Sequence, residues 1–194
     1  SGSGKSTLLY LLGGLDKPSS GELLVSGRNL AAMSDEALAK YRNNFVGFVF
    51  QFHFLLPSLN CIDNILLPSQ IGGKSTKEAR KFALELSEIL GVEHCLDKYP
   101  FELSGGEQQR INIIRALSLK PHLLLCDEPT GNLDSENSQI VTGLLKELSH
   151  KFSSTLVVVT HDGSVADQFK HQIQMKDGRI INSFENPALS PSNF

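Results

Sequence analysis

Cysteine is scarce in this chain, and the little there is forms no pattern. Cys61, Cys95 and Cys126 are unevenly spaced with no CxxC pair, which argues against a zinc site or a disulfide framework and suits a reducing compartment. An excess of basic charge is also missing: 18 Lys and Arg stand against 21 Asp and Glu, for a formal net charge of −3. That balance, with no dense Lys/Arg run, gives no electrostatic reason to expect a nucleic-acid partner. No apolar run approaches the ~18 residues of a membrane span. The first residues lack the basic and apolar segments and the cleavage site of a signal peptide. They also lack a Met, from which a beginning cut off upstream is expected. What remains is an ordinary globular composition, 40% hydrophobic and 20% charged over 194 residues, enough for one domain with a substantial core.

The segments that are present alternate between helical and strand patterning. "STLLYLL" predicts a buried helix ended by Gly13-Gly14. "GELLVSGRNL" reads as strand and turn, followed by a helix from about Asp35 with Ser34 as N-cap. "FVGFVF", residues 45–50, is a strand that stops at Gln51. Residues 60–120 turn helical, with Ser75/Glu78 and Ser104/Glu107 as two capping boxes; Gly91 closes the first of those helices and Pro121 stops the second. "HLLLCD" and "STLVVVT" are near-continuous apolar runs, as expected of parallel strands covered on both faces. Cys126 sits in the first as a small buried hydrophobe. An amphipathic helix over residues 134–151 separates them. "IQMKDGRII" reads as a closing hairpin with Asp177-Gly178 at its turn, and the tail "ENPALSPSNF" is expected to fray. The expected fold is α/β with a mostly parallel sheet, a single domain over residues 1–194 carrying a helical subdomain at about 60–120.

Chemistry enters at the first residues. Gly4, Lys5 and Ser6 match the end of the phosphate-loop pattern G-x-x-x-x-G-K-[ST], whose first glycine would fall two positions before Ser1. Ser1, Gly2, Ser3, Gly4, Lys5, Ser6 and Thr7 are therefore candidates to bind phosphate through backbone N–H groups and a helix N-terminus. Lys5 would reach the β- and γ-phosphates and the Ser6 hydroxyl would ligate Mg²⁺. A Gly/Ser-rich linker before an ordinary helix is the other reading of this stretch alone. Asp127 and Glu128, at the end of "LLLCDEP", weigh against it. Asp127 can hold Mg²⁺ opposite the loop, and Glu128 can orient or deprotonate a water, which favours hydrolysis over transfer. Alone the pair could be a solvated turn; after G-K-S it marks a nucleoside-triphosphate site.

"LSGGEQQR", residues 103–110, resembles the signature motif of ATP-binding-cassette (ABC) ATPases. Ser104, Gly105 and Gly106 form a second helix end suited to anions. The resemblance implies that ATP is held between this end in one copy of the chain and the phosphate loop of a second copy. Gln51 matches the glutamine that senses Mg²⁺ and the attacking water. Asp134, in "GNLD", matches the loop running along the partner copy and also reads as a plain N-cap. His161, in "VVVTHD", matches the histidine that contacts the γ-phosphate. The family thus implies ATP and Mg²⁺ as cofactors, Glu128, His161 and Gln51 as catalytic residues, and Ser6, Gln51 and Asp127 at the metal.

"FVFQFHFLLPSLNCIDNILLP" and "THDGSVADQFKHQIQMKDGRI" are similar to the ATPases of lipoprotein-releasing transporters and related macrolide exporters. That implies a peripheral protein on the cytoplasmic face of the inner membrane, with a groove that receives integral membrane subunits. The apolar group Phe52, Phe54, Leu55 and Leu56, with His53 among them, fits such a groove; packing against its own helical lobe is the alternative. Asn60-Cys61 and Ile113-Ile114 depart from the Thr-Ala and Ile-Ala common in the family and read as packing variation. The resemblance also implies an upstream strand, the loop's first glycine and an aromatic residue that stacks on adenine, so the chain as written is expected to hydrolyse ATP poorly. A macrolide or peptide exporter and a cell-division ATPase remain open within the family. A soluble ABC protein acting on DNA or ribosomes would carry tandem cassettes or long insertions, and a P-loop kinase has no use for "LSGGEQQR".

Overall fold

The computed structural model describes residues 2–186 and Leu189; Ser1 and most of the expected fraying tail lie outside the described residues. Gly4 opens helix α1 (Lys5–Leu12) from the left-handed region, φ 86°, and Gly13 closes it. A short hairpin follows, β1 (Leu24–Val25) against β2 (Arg28–Asn29). Helix α2 (Asp35–Phe45) starts where Ser34 Oγ accepts from the Ala37 N–H. Phe45, expected in the next strand, is the last residue of this helix instead. Its ring stacks 5.3 Å from that of Tyr41, one turn back, a contact that only the helical i,i+4 spacing allows. Strand β3 (Val46–Phe50) then begins at once.

Three helices occupy the stretch before the next strand: α3 (Cys61–Ile71), α4 (Thr76–Ile89) and α5 (Gly105–Leu117). Asn60 caps α3 by accepting from the Asp63 N–H, so the Asn-Cys departure supplies a cap and a fully buried thiol. Half of the box expected at α4 forms, with Ser75 Oγ accepting from the Glu78 N–H, whereas both halves form at Ser104 and Glu107. Gly91, at φ 65°, makes the left-handed exit from α4. Strand β4 (Leu123–Asp127), helix α6 (Ser135–Lys151), strand β5 (Thr155–Val159) and the one-turn helix α7 (Gly163–Ala166) complete the core. The hairpin β6 (His171–Lys176) and β7 (Arg179–Glu185) turns on Asp177 and Gly178, both at positive φ as a two-residue primed turn requires.

Strands β3, β4 and β5 form a parallel sheet in that order, with Val46 opposite Leu123 and Leu123 opposite Thr155. Alternation along β4 divides the core. Leu124 and Cys126 pack with α3–α6, while Leu123 and Leu125 pack with Leu9 of α1 and Leu38 and Tyr41 of α2. Every residue of β4 is buried, as its apolar run predicts. In β5 the coverage is thinner: Thr155 is exposed and the rest only half-buried, because it lies at the edge of this sheet. A parallel sheet with helices on both faces places the candidate residues at the carboxyl ends of its strands, where such folds bind ligands. No helix among the described residues is long and apolar enough to cross a membrane.

Candidate active site

The start of α1 is a free helix end. Gly4 has no side chain to cap it, and the first turn carries no acidic residue, so N–H groups there have no partner within the helix. Gly4 also allows a close approach: a Cβ there would lie 3.1 Å from Gly178 Cα, and the Gly178 N–H donates to Ser3 O at 3.1 Å. The tip of the β6–β7 hairpin thus supports the loop. Lys5 Nζ donates to Ser3 Oγ at 2.9 Å, curling the side chain back over the loop.

Ser6 Oγ donates to Asp127 Oδ1 at 2.9 Å, joining the first turn of α1 to the end of β4 across 121 residues. Tyr10 OH donates to the other oxygen, Oδ2, at 3.1 Å. Burial and that bond to the carboxylate raise the Tyr10 pKa, which keeps the phenol a donor. Tyr10 escaped the sequence reading, although its place one turn after Ser6 puts both side chains on one helix face. The Gly4 to Ser6 segment therefore offers N–H groups, an ammonium and a hydroxyl beside a carboxylate, a donor set that fits a phosphate chain with a hard divalent cation.

Beyond Asp127 the backbone turns sharply. Glu128 adopts φ 47°, a costly conformation for a residue with a side chain and one found where function holds it. Its N–H continues the ladder to Val159 O at 2.9 Å. Glu128 Oε1 lies 2.7 Å from His161 Nδ1, and Oε2 accepts from the His161 N–H at 3.3 Å. The carboxylate is mostly covered and the imidazole is 73% exposed, so the histidine stands between Glu128 and solvent. Beside them opens a cleft of about 190 Å³ lined by Thr130, Gly131 and Ser164 as well.

Gln51 Nε2 donates to Asn132 Oδ1 at 3.1 Å, and Asn132 Nδ2 returns a bond to Gln51 O at 3.1 Å. Gly131 makes room for this pair, since a Cβ there would fall 2.7 Å from Gln51 Nε2. Asn132 was not singled out from sequence, yet it sets where Gln51 points. The loop after Gln51 is held by α5: Asn112 Nδ2 donates to Phe50 O, and the Arg115 guanidinium donates to the carbonyls of His53 and Phe54. Burial lowers the Arg115 pKa to about 10, leaving it a cation at neutral pH. Phe52 and Phe54 are 67% and 61% exposed, so these rings are not absorbed by their own helical lobe.

Ser104, Gly105 and Gly106 form a second group, at the start of α5. Ser104 Oγ accepts from the Glu107 N–H at 3.4 Å and donates to Glu107 Oε2 at 2.6 Å. Asp134 caps α6, accepting from the Asn137 N–H at 2.9 Å and from its Nδ2 at 2.7 Å, and these bonds lower its pKa. Asn137 Oδ1 lies 3.5 Å from where a Gly106 Cβ would be, so Asp134 and the start of α5 share one face. Within one chain Ser104, Gly105, Gly106 and Asp134 are brought together, and among the described residues no hydrogen bond or ion pair joins them to Ser6 or Lys5. Ser1 lies outside the described residues.

A parallel α/β core carrying a phosphate-type loop, paired carboxylates and a second glycine-opened helix defines a nucleotide-binding cassette. The match of residues 1–131 to the family described as ABC transporter agrees, and the chain belongs to that family. It is 48% identical over 179 residues to the "Lipoprotein-releasing system ATP-binding protein LolD" of Bdellovibrio bacteriovorus, covering 92% of this chain and 81% of that protein. Proteins with the same description from Shewanella denitrificans and Cytophaga hutchinsonii are 45% and 43% identical, over 94% and 93% of this chain and 78% and 83% of theirs. Among solved structures, the dimeric bacterial ABC transporter cassette MJ0796 superposes with TM-score 0.87 at 40% identity, covering 96% of this chain and 82% of that one. A post-hydrolysis state of the same cassette, bound to ADP and Pi, gives 0.85 at 39% identity, over 95% and 81%.

Proposed function

We propose that this chain is the ATP-hydrolysing subunit of a lipoprotein-releasing transporter, peripheral to the cytoplasmic face of the inner membrane. The three relatives described as LolD, at 43–48% identity over most of the chain, support the pathway. The observation that carries the chemistry is the pairing of Ser6 with Asp127 and of Glu128 with His161 at the end of one buried strand. The loop Ser1, Gly2, Ser3, Gly4, Lys5, Ser6 and Thr7 binds the ATP phosphates. Mg²⁺, when bound, neutralises charge on the transferring phosphate; Ser6, Asp127 and Gln51 are the residues to hold it. Glu128 orients a water and accepts its proton, His161 holds the carboxylate in place, and Gln51 is held in reach by Asn132.

The site is completed by a second copy, whose Ser104, Gly105, Gly106 and Asp134 face the phosphate loop of the first; the similar MJ0796 cassette is dimeric. ATP closes the two copies and hydrolysis reopens them. The exposed Phe52 and Phe54, beside an apolar groove of about 420 Å³ lined by Phe48, Phe50, Pro68 and Ile71, receive the membrane subunits, with residues 60–120 acting as the helical subdomain of a single domain. The test is full-length protein carrying Glu128→Gln. With ATP it is expected to sediment as a dimer, and to capture a membrane subunit with lipoprotein from native membranes. A variant that stays monomeric with ATP overturns the mechanism. Capture of drug-export or division components instead would overturn the pathway and leave the chemistry standing.

A further inference from the structure

A cluster outside the nucleotide residues joins the end of α4 to the start of α5. His94 and Cys95 lie in the 3₁₀ turn Glu93–Cys95, and Glu107 lies in the first turn of α5. His94 Nε2 is 2.9 Å from Glu107 Oε1, and Cys95 Sγ donates to the same oxygen at 3.4 Å. The three candidate ligand atoms all lie within 4.8 Å of one another. Around a tetrahedral zinc ion, with bonds of about 2.0 Å to N and O and about 2.3 Å to S, donors sit roughly 3.3–3.5 Å apart. Two edges are already close to that, and the third can close by rotation of His94, whose side chain is 57% exposed. At Cys95 the negative potential comes from Glu107; Lys98 and Arg110 are the cations within reach and oppose it.

We propose that His94, Cys95 and Glu107 form a binding site for a thiophilic divalent cation of the Zn²⁺ kind. The Cys95 thiol gives up its proton to solvent on binding, and water takes the fourth position on the exposed His94 side. Sulfur, imidazole and carboxylate together select a borderline-soft ion over Mg²⁺, which prefers oxygen alone. Occupancy bears on the nucleotide machinery through the other oxygen of Glu107, since Oε2 accepts from the Ser104 N–H at 2.8 Å and from its Oγ at 2.6 Å. A cation on Oε1 ties the 93–95 turn to the residue that caps α5.

The test is titration of the full-length protein with Co²⁺, a spectroscopic stand-in, and with Zn²⁺ by competition, in nucleotide-free and Mg²⁺-free buffer. One equivalent is expected to bind with a thiolate-to-cobalt charge-transfer absorption. Cys95→Ser should abolish that absorption, and both Cys95→Ser and His94→Ala should weaken Zn²⁺ binding by at least about tenfold. Cys61→Ser should keep both signals. Failure to bind, survival of the absorption in Cys95→Ser, or wild-type Zn²⁺ affinity in His94→Ala each overturns the proposal. Since His94 is at the surface, its variant tests the site even where a change at buried Cys95 unsettles the fold.

Discussion

Tyr10 and Ser6 divide the two oxygens of Asp127 between them, so their removal should have unequal consequences. Tyr10→Phe deletes one hydrogen bond to a carboxylate and leaves the ring in place, which costs about 1.5–3 kcal/mol of stability where the acceptor is charged. Urea unfolding checks that figure, and ATP turnover should fall only several-fold because the candidate metal-holding hydroxyl remains. Ser6→Ala also deletes a hydrogen bond to that carboxylate and should cost a similar amount of stability, but it should reduce turnover by about a hundredfold or more. Glu107 makes a different kind of prediction. Hydrogen bonds from the Ser104 hydroxyl and backbone, then His94, hold its carboxyl down at about 2, against 4.5 as its ordinary value. A carboxylate favoured by folding stabilises the native state above its unfolded pKa, and that contribution fades as pH falls from about 5 toward 2. Glu107→Gln should therefore cost about 1 kcal/mol or more at pH 7 and much less near pH 2.5, a convergence that urea midpoints at the two pH values would reveal.

At the scale of elements, two glycines in ordinary backbone conformations should respond to alanine with opposite signs. Gly47, in β3, lies where α5 presses on the sheet: a Cβ would meet Ala116 O at 2.4 Å and Pro121 Cγ at 2.9 Å. Backbone cannot give way as a side chain can, so Gly47→Ala should destabilise by about 3 kcal/mol. Gly143, on the exposed side of α6, has nothing within 4 Å, and Gly143→Ala should stabilise by about 0.5–1 kcal/mol. Denaturant melts of both variants test the pair. The contrast also shows what sequence could and could not reveal. Caps and breakers act within a few residues, so Ser34, Gly13, Gly91 and the Asp177-Gly178 turn were legible. The end of α2 was not, because Phe45 is held in it by a ring contact with Tyr41 that outweighs its strand propensity. The half-formed box at Ser75 and the thin cover on β5 depend on rotamer and neighbours, which no local pattern encodes.

For the whole molecule, the motifs marked the candidate residues, and the fold supplied the partners that aim them. Gln51 could be picked out as a strand-end glutamine, but its orienting partner Asn132 lies 81 residues away. Cys95 reads as an unpaired cysteine until the chain brings Glu107 against it. The exposed apolar loop belongs at this scale too. Phe52 is 67% exposed, whereas the carbonyls on either side of Phe54 are fixed by Arg115 from α5. A solvent-facing ring next to a backbone tied to α5 suits the proposed docking of a partner outside the chain, because an isolated subunit gains little by ordering it. Phe52→Ser should leave thermal stability within about 0.5 kcal/mol of wild type and leave ATP-dependent self-association intact. It should cut co-purification of the membrane subunit by about tenfold or more, a loss of about 1.4 kcal/mol or more in binding. Full recovery of that subunit with the serine variant would mean that the loop faces water and the partner docks elsewhere. A variant that lost self-association as well would place Phe52 in the contact between the two copies.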